Sequence, residues 1–164
     1  MGPREVLGVM DALRAAGVRA YVGGGWGVDA LLHEQTRPHR DLDISLDARD
    51  ETRALEALRR EGFSIAVDQR PTRLVLQDAN ANAVDLHPVI FDEGGAGTQI
   101  AFDGVLDYPV DAFDVGEIDG VSVACFSAAL QVRFHSTYAP SDIDRRDMTL
   151  LRERLGVSLP PQFG

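Results

Sequence analysis

Asp41 and Asp43 stand one residue apart in "RDLDISLD" (40–47), a stretch in which polar and apolar residues alternate. Leu42, Ile44 and Leu46 share one face and Asp41, Asp43 and Ser45 the other, the pattern of a half-buried strand. On a strand, such a pair has its Cα atoms about 6.5–7 Å apart. Carboxylates so placed can bracket one divalent cation, or reach both ions of a phosphoryl-transfer site, which lie about 3.5–4 Å apart. Magnesium favours oxygen ligands and keeps room for phosphates and water. A third acid recurs in "AVDLHPV" (83–89), where Asp85 and His87 alternate with Val84 and Leu86. If that strand lies beside the first, Asp85 joins the cluster, able to hold metal or to accept a proton from an attacking hydroxyl.

Upstream of the carboxylates runs the glycine turn "GGGWGVDALL" (23–32). A glycine turn that opens a helix presents backbone N–H groups to an anion such as a triphosphate. "GWGVDA" (25–30) satisfies the weak form of the dinucleotide-binding fingerprint. That fold needs a long crossover helix feeding a parallel strand, whereas "TRPHRD" (36–41) stops this helix after two to three turns. A P-loop is excluded, because the chain contains no lysine.

The elements that must position these groups follow from periodicity. A helix is expected over 4–16, then a short strand at 18–22, the glycine turn with its short helix, and the carboxylate strand. A second amphipathic helix spans "RDETRALEALRREG" (49–62), before strands at "FSIAV", "TRLVLQD" and "AVDLHPVIF", the last two joined by a hairpin turn. "DEGGAGT" (92–98) reads as a flexible loop, and "VGEIDGVSVACF" (115–126) as a hairpin turning at Asp119-Gly120. From Ser127, an N-cap, the pattern turns helical through Gly156. The fold class is α+β, a mixed sheet with a small C-terminal helical region. The expected division is a catalytic domain at 1–126, a helical appendage at 127–156 and a tail at 157–164.

The 164 residues carry a net charge of −10, which argues against binding a nucleic-acid polymer through its phosphates. No run is long and apolar enough to span a membrane, and no secretory signal opens the chain. Cys125 is the only cysteine, so a disulfide framework is excluded and a cytoplasmic location is expected.

"YVGGGWGVDALL", "TRPHRDLDI" and "AVDLHPV" together resemble the nucleotidyltransferases of the DNA polymerase β superfamily. Within it the likeness is to the aminoglycoside 2″-nucleotidyltransferase and lincosamide nucleotidyltransferase group, over roughly residues 6 to 151. "FHSTYAPSDIDRRDM" (134–148) resembles that group's C-terminal helix, with its His, Tyr and spaced Asp residues. The resemblance implies Mg²⁺-dependent transfer of a nucleoside monophosphate, AMP from ATP, to a hydroxyl of a small acceptor, with release of pyrophosphate. It matches Asp41 and Asp43 to the pair holding two Mg²⁺ ions, and Asp85 to the third carboxylate and general base. It matches Gly24, Gly25 and Trp26 to the nucleotide-binding turn, and Arg37 and His39 to a basic pair that contacts phosphates. An acidic protein suits a cationic acceptor such as an aminoglycoside; a lincosamide, another small hydroxylated metabolite and a protein side chain are the other candidates. The rival readings are a nucleotide-binding or antitoxin-like module without turnover, and a metal-dependent phosphohydrolase.

Overall fold

The structure, a computed structural model, describes residues 1–163. Helix α1 (Pro3–Ala15) precedes strand β1 (Ala20–Val22), helix α2 (Gly24–Leu32) and strand β2 (Asp41–Asp47). Helix α3 (Glu51–Arg60) leads into β3 (Ser64–Gln69), β4 (Arg73–Gln77) and β5 (Ala83–Phe91). Strands β6 (Gly97–Ala101), β7 (Gly104–Tyr108), β8 (Phe113–Ile118) and β9 (Val121–Phe126) follow, then helices α4 (Ala128–His135) and α5 (Asp142–Leu155). The main sheet runs β3-β4-β5-β2-β1-β9-β8, with the β6–β7 hairpin joined to the far end of β5.

The relation of β2 to its neighbours decides where the carboxylates go. Strand β2 is antiparallel to β1, with Tyr21 opposite Ser45, so the chain turns back after α2 and makes no parallel crossover. Its other neighbour, β5, is parallel and sets Asp43 opposite Asp85 and Ser45 opposite His87. Leu42, Ile44, Leu46, Val84 and Leu86 are fully buried in one core with Val6 and Leu13 of α1 and Leu58 of α3. Each such side chain contributes about 1.5–3 kcal/mol by leaving water. A one-residue slip would expose all of them, so burial of the leucine face dictates that the carboxylates point the other way.

The segment expected as a flexible loop at 92–98 is a tight turn into two further strands. Asp92 N–H donates to the Ala96 carbonyl at 2.9 Å, and Ala96 N–H donates to Asp92 Oδ1 at 3.0 Å. Gly97 then lies so close to Val89 and Phe91 that a Cβ would overlap both. The glycines allow close approach here as well as freedom. The final residues fold back: Phe163 is buried with Val28, Val132, Met148 and Leu151, tying both C-terminal helices to α2. Cys125 lies unpaired in the main core, where burial pushes its thiol up to about 12. Among the described residues no helix is long and apolar enough to cross a membrane.

Candidate active site

The glycine turn is strapped onto the carboxylate strand. Gly23 N–H donates to the Asp43 carbonyl at 2.9 Å, and Gly24 then adopts φ +53°, the left-handed region that glycine tolerates best. A Cβ at Gly24 would lie 2.0 Å from Asp43 Oδ2, so the residue is glycine for contact as well as for conformation. From the other side, Gln131 of α4 donates its amide to the Gly24 carbonyl at 3.2 Å. The turn is therefore held between β2 and α4, and α2 begins from it.

Beside it opens a cleft of about 350 Å³, whose lining includes Gly24, Gly25, Arg37, Asp41 and Asp43 of the turn and the carboxylate strand. Ser45, His87, Gln99 and Tyr108 also line it, as do Phe126, Phe134, His135, Tyr138 and Asp144. Partial desolvation at the cleft rim and the neighbouring Asp43 charge raise the Asp41 pKa above its ordinary value. Like-charged acids this close favour a cation between them.

Asp85 lies on the same face but deeper, 6% exposed and beneath the cleft lining. Arg73 Nη1 donates to its Oδ2 at 2.7 Å, while Oδ1 is buried with no hydrogen-bond partner. Burial raises the Asp85 pKa, against the pull of His87 and Arg73. His87 Nε2 stands 3.4 Å from Asp43 Oδ1 and 3.6 Å from Asp85 Oδ1. Burial disfavours the imidazolium, yet the two carboxylates outweigh it and set the His87 pKa above its ordinary value. One ligand atom each from Asp43, Asp85 and His87 falls within 4.8 Å of the others. An orphaned buried carboxylate oxygen beside a second carboxylate is the kind of vacancy in hydrogen bonding that a divalent cation satisfies. Asp41 stands at the cleft rim, outside that compact trio.

Two residues that the resemblance assigns to nucleotide binding do not line the cleft. Trp26 is 1% exposed and belongs to the main core. His39 is buried against it, with ring centroids 4.6 Å apart, and its Nε2 meets Asp29 Oδ2. The physical reason is the short α2, which turns its apolar side and Asp29 inward. Asp29 Oδ1 also accepts from Thr36 N–H (3.1 Å) and Thr36 Oγ1 (2.7 Å), fixing the segment that carries Arg37 and His39. Of that basic pair, Arg37 alone reaches the cleft.

Sequence reasoning did not single out Arg73, Gln99, Tyr108 or Gln131. Gln99 and Tyr108 belong to the hairpin concealed in "TQIAFDGVLDY" (98–108), where Asp103-Gly104 is a hairpin signal. At the rim, His135 Nδ1 donates to the Gln131 carbonyl at 2.8 Å, leaving Nε2 facing Asp144 at 3.7 Å. Burial alone would raise the Asp144 pKa, but hydrogen bonds from Ser141 and Tyr138 hold it below its usual range.

A mixed sheet, a glycine turn bound to a D-x-D strand, and a third aspartate on the adjoining parallel strand define a nucleotidyltransferase. The comparisons narrow the class. The family model for aminoglycoside-2″-adenylyltransferase matches residues 5–151, and the chain belongs to that family. A lincosamide resistance protein of Staphylococcus haemolyticus is 30% identical over 150 residues, covering 91% of this chain and 93% of the relative. The crystal structure of the lincosamide antibiotic adenylyltransferase LnuA with lincomycin bound superposes with a TM-score of 0.81 at 30% identity, covering 91% of this chain and 95% of that one. ANT(2″)-Ia in complex with adenylyl-2″-tobramycin shares the fold, with a TM-score of 0.76 at 17% identity over 94% of this chain and 89% of that one.

Proposed function

We propose that the protein transfers AMP from ATP to a hydroxyl of a small antibiotic-like acceptor, a lincosamide or an aminoglycoside, and releases pyrophosphate. The observation that carries this reading is the parallel register that sets Asp43 opposite Asp85, which brings ligand atoms of the two within 4.8 Å and leaves Asp85 Oδ1 without a hydrogen-bond partner. Asp41, Asp43 and Asp85 would hold two Mg²⁺ ions, which supply charge neutralisation at the triphosphate and make the acceptor hydroxyl more acidic. The backbone N–H groups of Gly24 and Gly25, with Arg37, bind the phosphates at the start of α2. Trp26 and His39 support that turn from behind.

The acceptor oxygen attacks the α-phosphorus as the bond to the bridging α–β oxygen breaks and the electron pair leaves with pyrophosphate. Asp85 is the base of this reading: burial beneath the lining raises its pKa, which makes it a better base than an exposed aspartate. For an acceptor in the same cleft, Phe134 provides an apolar surface and the ionised Asp144 a counter-charge for an ammonium group. LnuA is bound to lincomycin and ANT(2″)-Ia to adenylyl-2″-tobramycin, which makes these two drug classes the acceptors to try.

The test is mass spectrometry of the protein with Mg²⁺ and each nucleoside triphosphate, with lincomycin, with tobramycin and without acceptor. An adenylylated drug and stoichiometric pyrophosphate are expected. Nucleotide hydrolysis that ignores the acceptor would assign a phosphohydrolase instead, and tight ATP binding with no product would assign a binding module.

A further inference from the structure

Gln99 sits at the centre of a buried hydrogen-bond chain that the carboxylates do not need for their own placement. It is 4% exposed and comes from β6, outside the sheet segment that carries the aspartates. Its Nε2 lies 3.4 Å from the Thr72 carbonyl and 3.1 Å from His87 Nδ1. Its Oε1 accepts from the Tyr108 hydroxyl at 2.7 Å, and Ser45 Oγ meets that hydroxyl at 2.9 Å.

The directions of these bonds are not free. A carbonyl accepts only, so Thr72 requires the amide NH₂ on its side; flipping Gln99 would set two carbonyl oxygens against each other. An amide nitrogen donates only, so in the neutral ring His87 Nδ1 is the acceptor and carries no proton. Tyr108 spends its one proton on Gln99 Oε1, which leaves Ser45 to donate to Tyr108. The neutral imidazole then has its proton on Nε2, the nitrogen that faces Asp43 and Asp85.

We propose that Gln99 is a positioning residue that locks the neutral His87 ring in the Nε2–H tautomer, so that His87 turns its proton towards Asp43 and withholds a lone pair from the metal of the two carboxylates. This rests on the reading of Asp43 and Asp85 as metal-holding groups. By position, His87 completes a three-residue cation cluster with them. By tautomer it cannot ligate, since a protonated imidazole nitrogen has no pair to give. The site is left with oxygen donors alone, which favours Mg²⁺ or Mn²⁺ over Zn²⁺, a cation that seeks imidazole. The hairpin thereby selects the cation without touching it.

The tautomer is read directly by two-bond ¹H–¹⁵N correlation on ¹⁵N-histidine-labelled, metal-free protein, at a pH where the rings are neutral. The four histidines are separated by the signal lost in His87→Asn. A protonated Nε2 and bare Nδ1 at His87 are expected; a proton on Nδ1 in the wild-type protein overturns the proposal. In Gln99→Glu the new carboxylate accepts from Nδ1–H, so the tautomer should reverse and Zn²⁺ affinity, measured by calorimetry, should rise at least about tenfold relative to Mg²⁺. An unreversed tautomer, or no gain in Zn²⁺ preference, also overturns it. Because the wild-type spectrum needs neither metal nor turnover, failure of the nucleotidyltransferase reading would show separately, as absent product in the acceptor assay.

Discussion

Arg37 and Asp147 are separated by 110 residues, yet the Arg37 guanidinium grips the buried Asp147 carboxylate with two of its nitrogens. Nε lies 3.2 Å from both oxygens and Nη2 lies 2.8 Å from Oδ2. The pair joins the segment before the D-x-D strand to α5 and fixes Arg37, the basic side chain of that segment that lines the cleft. Burial works against the charge on Arg37, but Asp147 outweighs it and the guanidinium stays protonated.

Arg37→Lys should therefore keep a positive charge and lose its fixed direction, because a single ammonium cannot reproduce the planar two-point contact. KM for the nucleoside triphosphate should rise about tenfold, equivalent to roughly 1.4 kcal/mol, with a smaller change in kcat. Steady-state kinetics with acceptor held saturating checks the split; an unchanged KM would remove Arg37 from phosphate binding.

Asp43 and Asp85 are expected to differ in how they fail. Asp43→Asn should abolish measurable turnover, since Asp43 belongs to the cluster and also lies at the glycine turn. Asp85→Asn should lower kcat by about 10²–10⁴ if it serves as the base. Circular dichroism should show both variants folded. Single-turnover rates with radiolabelled ATP distinguish the two, and near-normal rates for Asp43→Asn would end the metal assignment.

Asp41 gives a pH signature in the metal-free protein. Its folded pKa lies above the ordinary value of 3.8, through partial desolvation at the rim first and the Asp43 charge second. Between that value and the raised one, the folded carboxyl retains a proton that the unfolded chain has released. Stability contributed by this group therefore falls as pH rises through the window and levels off above it. Compared with wild type, Asp41→Asn should melt at nearly the same temperature in acid and about a degree or two higher at neutral pH. Saturating Mg²⁺ should raise the wild-type Tm and erase the advantage of the variant. Thermal melts across pH, with and without Mg²⁺, measure this; a variant with no neutral-pH gain would contradict the repulsion between Asp41 and Asp43.

Gly24→Ala places a methyl group against Asp43 Oδ2 in a left-handed backbone conformation. The conformation alone costs about 1–2 kcal/mol, and the overlap must push either the turn or the carboxylate aside. Denaturant melts should show the loss, and turnover should fall further than stability explains. Alanine at Gly62, which also has positive φ but no atom within 4 Å of its Cβ position, should cost stability alone.

The periodicity of the chain was enough to locate most elements, and for a definite reason. Leu42, Ile44 and Leu46 must be buried, and a period of two then assigns Asp41, Asp43 and Ser45 to the opposite face whatever the neighbours are. The same logic placed Asp85 and His87 on one face of β5. The hairpin of β6 and β7 was hidden because "DEGGAGTQ" (92–99) opens with turn-forming residues, and its outer face shows Ile100, Phe102 and Val105 to solvent. With no clean apolar-in, polar-out alternation, the period that betrays a half-buried strand is blurred there.

By itself, the order of residues determined which side chains face together and where the helices stop, because these depend on spacing within a few residues. Pairing between distant segments decided the rest: that β5 lies parallel to β2, that Arg73 ties down one oxygen of Asp85 and leaves the other bare, that Trp26 and His39 lie behind the turn, and that Gln99 reaches His87. Those relations arise from long-range packing and from hydrogen bonds whose partners no local pattern encodes.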